Sequence, residues 1–344
     1  MGGWKNEHEA FEKSGGGRHH RLPPLAAAGM IAGCGGEKKA SAPSSQPAAQ
    51  TVKINFPTAG ASGALYAVGA AITNMWNNNV PGVQAASQAS AGGIANLNMV
   101  SDGEAQVSIA ISSNVYQCFN GTDSFKDHPY KDLKVIAGLY MNPNQVVVTA
   151  KSGIQTLADV KGKHFAVASA GSSVYNESNA HFTAAGLKFP DDIQAEYITF
   201  TDAADMLQNG SIDGAWIMSG APASAVTQAL TGGARLVDID DQLVEKLKAK
   251  YPWYASYTIK AGTYPNQDRD VRTTAVKMVM FTRGDMPEDV VYNLTKAFWE
   301  HIDELGQAQK NLKGLKPEDA VKDIAGVPLH PGAERYYREI GVLK

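Results

Sequence analysis

Four short segments of small, mostly polar residues have the composition of ligand-binding loops. They are TAGASG at residues 58–63, SSN at 112–114, SAGSS at 169–173 and SGAP at 219–222, each directly after a predicted strand. Ligands of open α/β sheets bind beyond the carboxyl ends of the strands, where helix N-termini present backbone N–H groups to an anion. The segments therefore predict a cleft for a small anion or carboxylate. Simple helix capping by Ser, Thr and Asn, which needs no ligand, is the alternative.

Residue types that do catalysis are present, but they form no recognisable catalytic set. The sequence has no GxSxG elbow, no GxxxxGK[ST] phosphate loop and no GxGxxG fingerprint after a strand. The histidines are scattered, and the pair of His301 and Glu304 at helical spacing is interpreted as a solvated helix face. Cys118 has no nearby base and is interpreted as a buried or incidental thiol. These patterns predict a protein that is not an enzyme and that needs no metal or cofactor.

Length and charge narrow the classes of protein to which the chain can belong. The chain has 344 residues, 44% apolar and 19% charged, with a formal net charge of −3. That length suits two lobes or two domains, and the absence of a basic stripe argues against nucleic acid as a partner. No apolar run reaches the roughly 18–20 residues that span a bilayer.

The N-terminal residues differ in composition from the rest of the chain. A basic patch at residues 18–21 precedes a short apolar stretch, and IAGC at residues 31–34 resembles the lipobox of bacterial lipoproteins. This order predicts a lipoprotein-type export signal over residues 1–33, with lipidation of Cys34 as the only membrane attachment. Residues 34–51 are rich in Ser, Ala, Pro and Gln and predict a disordered tether. The alternative is a disordered extension with an unpaired cysteine.

From residue 52 onward, predicted strands and helices alternate. The strands VKINF, VQAASQ and AQVSIAI are separated by helices at about residues 63–78 and 93–101. The same order then recurs with the strands KGKHFAVAS, EYITF and NGSIDGAWIM and with helices at about residues 174–185 and 203–208. Such alternation predicts a parallel sheet covered by helices, here in two similar α/β lobes.

Two strands are predicted to connect the lobes. QVVVTA, which begins at Gln145, leads into the second lobe, and AVKMVMFT, which begins at Ala275, returns to the first. The first lobe then comprises residues 52–142 and 275–344, and the second comprises residues 143–274. Two amphipathic helices, DVVYNLTKAFWEHIDEL and the segment after Pro331, close the chain.

From residue 52 to the C-terminus the sequence resembles the TAXI proteins, the extracytoplasmic receptors of one branch of tripartite ATP-independent periplasmic (TRAP) transporters. The resemblance rests on TAGASGALYAVGAAITNMW, SAGGIANLNMVSDGEAQVSIAISSNVY, TFTDAADMLQNGSIDGAWIMSGAPASAV, AGTYPNQD and PLHPGAERYYREIG. It implies a two-lobed type II periplasmic-binding-protein fold with the ligand in the cleft between the lobes. It further implies capture of glutamate, glutamine or a related carboxylate by hinge closure, and delivery to membrane subunits of the transporter.

The resemblance also assigns candidate ligand-binding residues. Those of the first lobe are Thr58, Gly60, Ala61, Ser62, Gly63, Tyr66, Asn96, Ser112, Ser113 and Asn114. Those of the second lobe are Gly171, Ser172, Ser173, Ser219, Gly220, Ala221 and Pro222. Asn96 and Tyr66 also have structural interpretations, as a cap and as part of a helix's packing face. Two other functions remain open: an enzyme on a related two-lobed fold, using Cys118 or a cleft carboxylate, and an adhesive or immunogenic lipoprotein.

Overall fold

The computed structural model describes residues 51–61, 63–251 and 253–344. Its strands are β1 (Val52–Pro57), β2 (Val83–Gln88), β3 (Val107–Ile111), β4 (Leu133–Val148), β5 (His164–Ala166), β6 (Gln194–Glu196), β7 (Gly214–Met218), β8 (Arg235–Val237), β9 (Ala255–Ile259) and β10 (Val271–Arg283). Its helices are α1 (Ala64–Asn79), α2 (Gly93–Ser101), α3 (Ser112–Asn120), α4 (Ser173–Ala184), α5 (Phe200–Asn209), α6 (Ser224–Thr231), α7 (Asp241–Lys250), α8 (Glu288–Glu300), α9 (Ile302–Ala308), α10 (Pro317–Ala320) and α11 (Pro331–Glu339). Short 3-10 turns occupy Asp123–Phe125, Leu157–Val160 and Lys310–Leu312.

The strands form an α/β architecture whose larger sheet is mixed rather than parallel. β1 and β2 pair in parallel, and eight further strands form a sheet of order β3-β10-β4-β7-β5-β6, with β8 beside β4 and β9 beside β10. β5 pairs in parallel with β6 and β7, whereas β10 runs antiparallel to β3, β4 and β9. The predicted parallel sheet is therefore corrected, because the long strands β4 and β10 run through it in opposite directions.

The two long strands each change partners partway along their length. β4 pairs with β10 as far as Pro143, and from Asn144 it pairs with β7. β10 pairs with β9 up to Ala275, and from that residue onward it pairs with β4. The chain therefore passes from one set of strands to another at Asn144 and again at Ala275.

Apolar stripes fix the helices on these sheets. α1 buries Val68, Ile72 and Trp76 on one face, spaced as a helix of 3.6 residues per turn requires. The Trp76 indole N–H donates to the Leu294 carbonyl of α8 at 3.0 Å, which ties the first helix to the C-terminal part of the chain. α11 packs so closely on α8 that a β-carbon at Gly332 would lie 2.2 Å from the Glu288 carbonyl oxygen.

Some element boundaries differ from the predicted ones. The SSN segment is the first turn of α3 and not a loop, because α3 begins at Ser112 directly after β3. The predicted helix DVVYNLTKAFWEHIDEL is two helices, interrupted where His301 has a non-helical ψ of 18°. Among the described residues, no helix is both long and apolar enough to cross a membrane. The predicted export signal and Cys34 lie outside the described residues, as does nearly all of the predicted tether.

Candidate functional site

Five helix N-termini meet at one cavity of about 450 Å³. The N-cap residues of α1, α2, α3, α4 and α5 all line it: Gly63, Gly92, Ile111, Ser172 and Thr199. Each N-terminus has backbone N–H groups without partners inside its own helix and carries a partial positive charge of roughly half an elementary charge. Convergence of five such ends produces a positive potential that attracts an anion.

The helices differ in whether a side chain already occupies these N–H groups. Ser172 and Thr199 cap their own helices, since their hydroxyl oxygens accept from the backbone N–H groups of Tyr175 and Asp202. α1, α2 and α3 have no side-chain cap. Gly92 has a φ of 98°, a conformation that suits glycine and directs the chain into α2. The uncapped ends leave N–H groups available to a ligand.

The rest of the lining is uncharged. Within the part of the chain that the structure describes, no Asp, Glu, Lys, Arg or His side chain lines the cavity. Leu65, Ile94, Phe200 and Met218 form apolar walls, and Asn142 is a neutral polar group on β4. The positive potential of the helix ends is therefore not neutralised by a side chain of the described lining. The cavity can hold a small molecule with an anionic group and an apolar body.

Two buried polar atoms beside the cavity, and a third in the first turn of α3, lack hydrogen-bond partners among the described residues. They are Ser173 Oγ, Asn114 Oδ1 and Ser112 Oγ, on residues that are only 6%, 1% and 2% exposed. A β-carbon at Gly93 would lie 3.1 Å from Ser173 Oγ and 3.3 Å from Asn114 Oδ1, so both atoms border the glycine that opens α2. Buried polar atoms normally have partners, and Ser173 lines the cavity. Its hydroxyl can donate to a bound anion.

Around the cavity, residues that precede β4 in the sequence contact residues that follow it. The Ala64 N–H at the start of α1 donates to Ser219 Oγ, which follows β7, at 3.3 Å. Gly220 packs on the C-terminal segment, because a β-carbon there would lie 2.7 Å from Asn311 Oδ1. The cavity is therefore bounded by both sets of strands that β4 and β10 join.

Six of the candidate residues line this cavity. They are Gly60, Gly63, Gly171, Ser172, Ser173 and Ser219. Ala168, which also lines it, has a φ of 72°, a left-handed conformation that is unfavourable for alanine. Strained backbone of this kind is concentrated at functional sites.

Thr58 and Asn96 have structural partners instead. Thr58 is fully buried, and its Oγ1 donates to the Gln88 carbonyl at 2.7 Å. The Asn96 Nδ2 group donates to the carbonyls of Thr58 at 2.7 Å and Ile109 at 3.0 Å, which joins β1, α2 and β3. Both side chains serve the fold beside the cavity and are not part of its lining.

The remaining candidates lie away from the lining. Ala61 is exposed, Tyr66 is 37% exposed, and Ser62 lies outside the described residues. Gly220 is buried against Asn311, and the half-buried Ala221 and Pro222 follow it outside the lining. The three residues of the SSN segment are buried in α3, where Ser113 and Asn114 line a second cavity of about 720 Å³.

Several lining residues were not predicted. Ser90, Gly92 and Gly93 form the SAGG run after β2 and show the same small-residue signal as the four predicted segments, so the sequence could have indicated them. The sequence did not indicate Thr199 and Phe200 as lining residues, because EYITF was predicted as a strand. In the structure β6 ends at Glu196 and α5 begins at Phe200.

Groups that could do covalent or metal chemistry lie elsewhere. Burial raises the pKa of the Cys118 thiol to about 12, so it stays protonated and unreactive at neutral pH. Burial lowers the pKa of His181 to about 4, and its ring nitrogens bond the Glu177 carbonyl and Thr274 Oγ1. In the described ranges no cluster of His, Cys, Asp and Glu has a geometry that could hold a metal ion.

Comparison with solved structures identifies the fold. BugD, a periplasmic binding protein, matches with a TM-score of 0.51 at 13% identity, over 84% of this chain and 94% of its own. A protein of Bordetella bronchiseptica RB50 matches with a TM-score of 0.51 at 17% identity, over 86% and 99% of the two chains. A structure described as a periplasmic transporter matches with a TM-score of 0.50 at 19% identity, over 84% and 92%. The chain has the periplasmic-binding-protein fold.

The family assignment comes from the sequence itself. The model of the NMT1-like family matches residues 56–341, which include every strand of the larger sheet and all eleven helices described above. The protein therefore belongs to the NMT1-like family.

Proposed function

We propose that the protein is an extracytoplasmic, non-catalytic receptor that captures a small carboxylate in the cavity among the five helix N-termini. The observation that carries this proposal is the combination of converging N-termini with an uncharged described lining. An anion would be held there by N–H groups and by the Ser173 hydroxyl, while its apolar body would contact the walls. Solved structures of the same fold include a periplasmic binding protein, which supports the receptor role.

Capture would occur by closure of two lobes. We assign residues 52–142 and 275–344 to one lobe and residues 143–274 to the other, with the hinge at the two points where β4 and β10 change partners. Contacts such as Ala64 to Ser219 would form on closure, so a ligand touching both lobes would stabilise the closed form.

The transporter is proposed on the resemblance to TAXI proteins. We assign the receptor to the TRAP class, with membrane subunits as partners and glutamate- or glutamine-like carboxylates as ligands. Cys34 would be lipidated and would anchor the receptor outside the cell membrane. The enzyme alternative is disfavoured because Cys118 is buried with a raised thiol pKa and no carboxylate lines the cavity in the described range.

A thermal-shift screen tests the receptor role. The panel should contain L-glutamate, L-glutamine, aspartate and short mono- and dicarboxylates, each paired with the amide in which every carboxylate has been replaced. A ligand that binds only the native state at about a hundredfold above its Kd adds about 2.7 kcal/mol to the free energy of unfolding. At least one acid should raise the melting temperature while its amide does not. If no acid does so, or if the amides are equally effective, the carboxylate receptor is rejected.

A further inference from the structure

A buried acid, Glu177, lies between the elements that form the two proposed lobes. Glu177 is in α4 and is only 3% exposed. Its carboxylate oxygens accept from Ser113 Oγ of α3 at 3.4 Å and from Asn144 Nδ2 of β4 at 3.3 Å. The Tyr254 hydroxyl, from the segment between α7 and β9, also hydrogen-bonds to it. One carboxyl group therefore joins three separate parts of the chain.

The same group is connected to both points where the long strands change partners. Asn144 is the residue at which β4 leaves β10 for β7, and its Nδ2 also donates to Thr274 Oγ1 of β10 at 3.0 Å. Thr274 Oγ1 contacts His181 Nε2 at 2.7 Å, one turn after Glu177 in α4. Movement of α4 relative to α3 would break the bond from Ser113 and disturb this network.

Glu177 lies one helical turn from the ligand cavity and lines a second cavity. Ser173, which lines the ligand cavity, precedes Glu177 by four residues and so lies on the same face of α4. On its other side Glu177 borders the second cavity, of about 720 Å³, whose lining also includes exposed residues of α7. A charge in the ligand cavity and a proton from solvent can therefore both affect this carboxyl group.

No described cationic side chain is paired with Glu177. The charged groups around the second cavity are Asp123, Lys246 and Lys250, which are exposed. His181 is neutral above its lowered pKa of about 4, and burial holds the pKa of Tyr254 well above its ordinary value. Burial raises the pKa of Glu177 to about 7, although its three hydrogen bonds act to lower it. An ionised Glu177 is therefore costly in the arrangement seen here.

We propose that Glu177 is a positioning residue that takes up a proton when the two lobes close on the solute, so that capture is favoured at low pH. This inference rests on the proposed receptor function. In an open form water would reach Glu177 and return its pKa towards the ordinary 4.5. The closed form then binds the proton more tightly than the open form. Closure is strongest below about pH 4.5, weakens as the pH rises to about 7 and changes little above that.

Solution scattering on ligand-free protein tests the link between protonation and closure. Wild type should be more compact at about pH 5 than at about pH 8, because the closing equilibrium constant changes by up to the order of a hundredfold. Glu177→Gln removes the titrating group and should have the same radius of gyration at both pH values. Glu245→Gln, the same change at an exposed carboxyl on α7, should behave as wild type. A wild-type radius independent of pH, or equal behaviour of the two variants, overturns the inference.

A second variant covers the case in which Glu177→Gln does not fold. Ser113→Ala keeps the acid but removes a hydrogen bond that lowers its pKa, so the compaction midpoint should move to higher pH. A midpoint unchanged from wild type would count against the inference.

Calorimetry with L-glutamate separates this inference from the receptor proposal. In two buffers of different ionisation enthalpy, binding at about pH 6 should take up protons in wild type but not in Glu177→Gln, with uptake falling towards zero at about pH 8. Binding without proton uptake overturns the role of Glu177 and leaves the receptor intact. Absence of glutamate binding counts against the proposed ligand, while the scattering result still decides the role of Glu177.

Discussion

At the residue scale, the cavity combines free N–H groups with a few side-chain atoms placed at its wall. Ser173 Oγ is buried and unpartnered, and Gly93 is small enough to leave space beside it. Both residues lie in the first turn of a helix, where N–H groups also lack intrahelical partners. Several backbone N–H groups and the Ser173 hydroxyl would therefore bind the anion together, and each would contribute a small part of the binding free energy.

Ser173→Ala should weaken binding without weakening the fold. Its hydroxyl has no partner among the described residues, so its loss should cost about 0.5–1.5 kcal/mol of binding free energy and little or no unfolding free energy. Ser178→Ala is the matched control on the same helix, because Ser178 Oγ donates to the Val167 carbonyl at 3.1 Å. Calorimetry and denaturant unfolding should give the opposite pattern for Ser178→Ala. A normal affinity in Ser173→Ala would remove this hydroxyl from the site.

Gly93→Ala should reduce affinity because it fills the wall of the cavity. The added β-carbon would meet Ser173 Oγ, Ala110 Cβ and Asn114 Oδ1 at 3.1–3.3 Å. Ala61 is exposed and lies outside the lining, so Ala61→Ser, which also adds one heavy atom, is the control. We expect at least a tenfold loss of affinity, about 1.4 kcal/mol, for Gly93→Ala and none for the control, measured by calorimetry. Equal affinities would place the ligand elsewhere.

The sequence indicated which residue types surround the cavity, but it did not indicate which of those residues line the cavity and which support the fold. Runs of small residues after strands indicated Gly60, Gly171 and Ser173, which line one cavity, and ligand binding by these residues stays a prediction. They did not distinguish these from Asn96, whose amide donates to the carbonyls of Thr58, directly after β1, and Ile109 of β3. That distinction depends on contacts between distant parts of the chain, which local composition does not specify.

At the element scale, the cavity is bounded by helix N-termini that have no side-chain cap. α1 and α2 begin at glycine N-caps and the N-cap of α3 is Ile111, so none of the three is capped by the side chain of its own N-cap residue. The alternation of strands and helices predicted α1, α2 and α4 to within a residue or two, and α1 also has a regular apolar face. The antiparallel pairs of β10 were not predicted, because they join residues far apart in sequence.

Gly332→Ala should destabilise the packing of α11 on α8. Alanine is favoured over glycine in a helix by about 1 kcal/mol. The β-carbon would, however, lie 2.2 Å from the Glu288 carbonyl oxygen and 2.6 Å from the Tyr292 nitrogen, which are backbone atoms. Overpacking of this kind costs about 1–3 kcal/mol, so we expect a net loss of unfolding free energy in urea. Stability equal to or above wild type would contradict the close helix contact.

At the scale of the whole molecule, one continuous chain passes twice through a shared sheet. The partner changes of β4 and β10 give two connections between the sets of strands, which is the arrangement that a hinge requires. The predicted border at residues 142–143 and 274–275 came from the order of strands and helices. Its role as a hinge remains a prediction, because a single arrangement of the lobes is described.

Cys34→Ser tests export and anchoring of the whole protein. If Cys34 is lipidated, the substitution should move the protein from the membrane fraction to the soluble fraction or stall cleavage of the leader. Detergent phase partitioning of cells expressing both forms provides the measurement. Membrane association unaffected by the substitution would reject the lipid anchor and leave the receptor proposal intact.

The central claim is that the protein closes around a small carboxylate, and solution scattering with and without that ligand tests it most directly. The acid with the largest thermal shift should be used at a saturating concentration, with its amide as the control. We predict that the acid lowers the radius of gyration and that the amide does not, because only the anion joins helix N-termini of both lobes. An unchanged radius of gyration at saturating acid would contradict capture by closure.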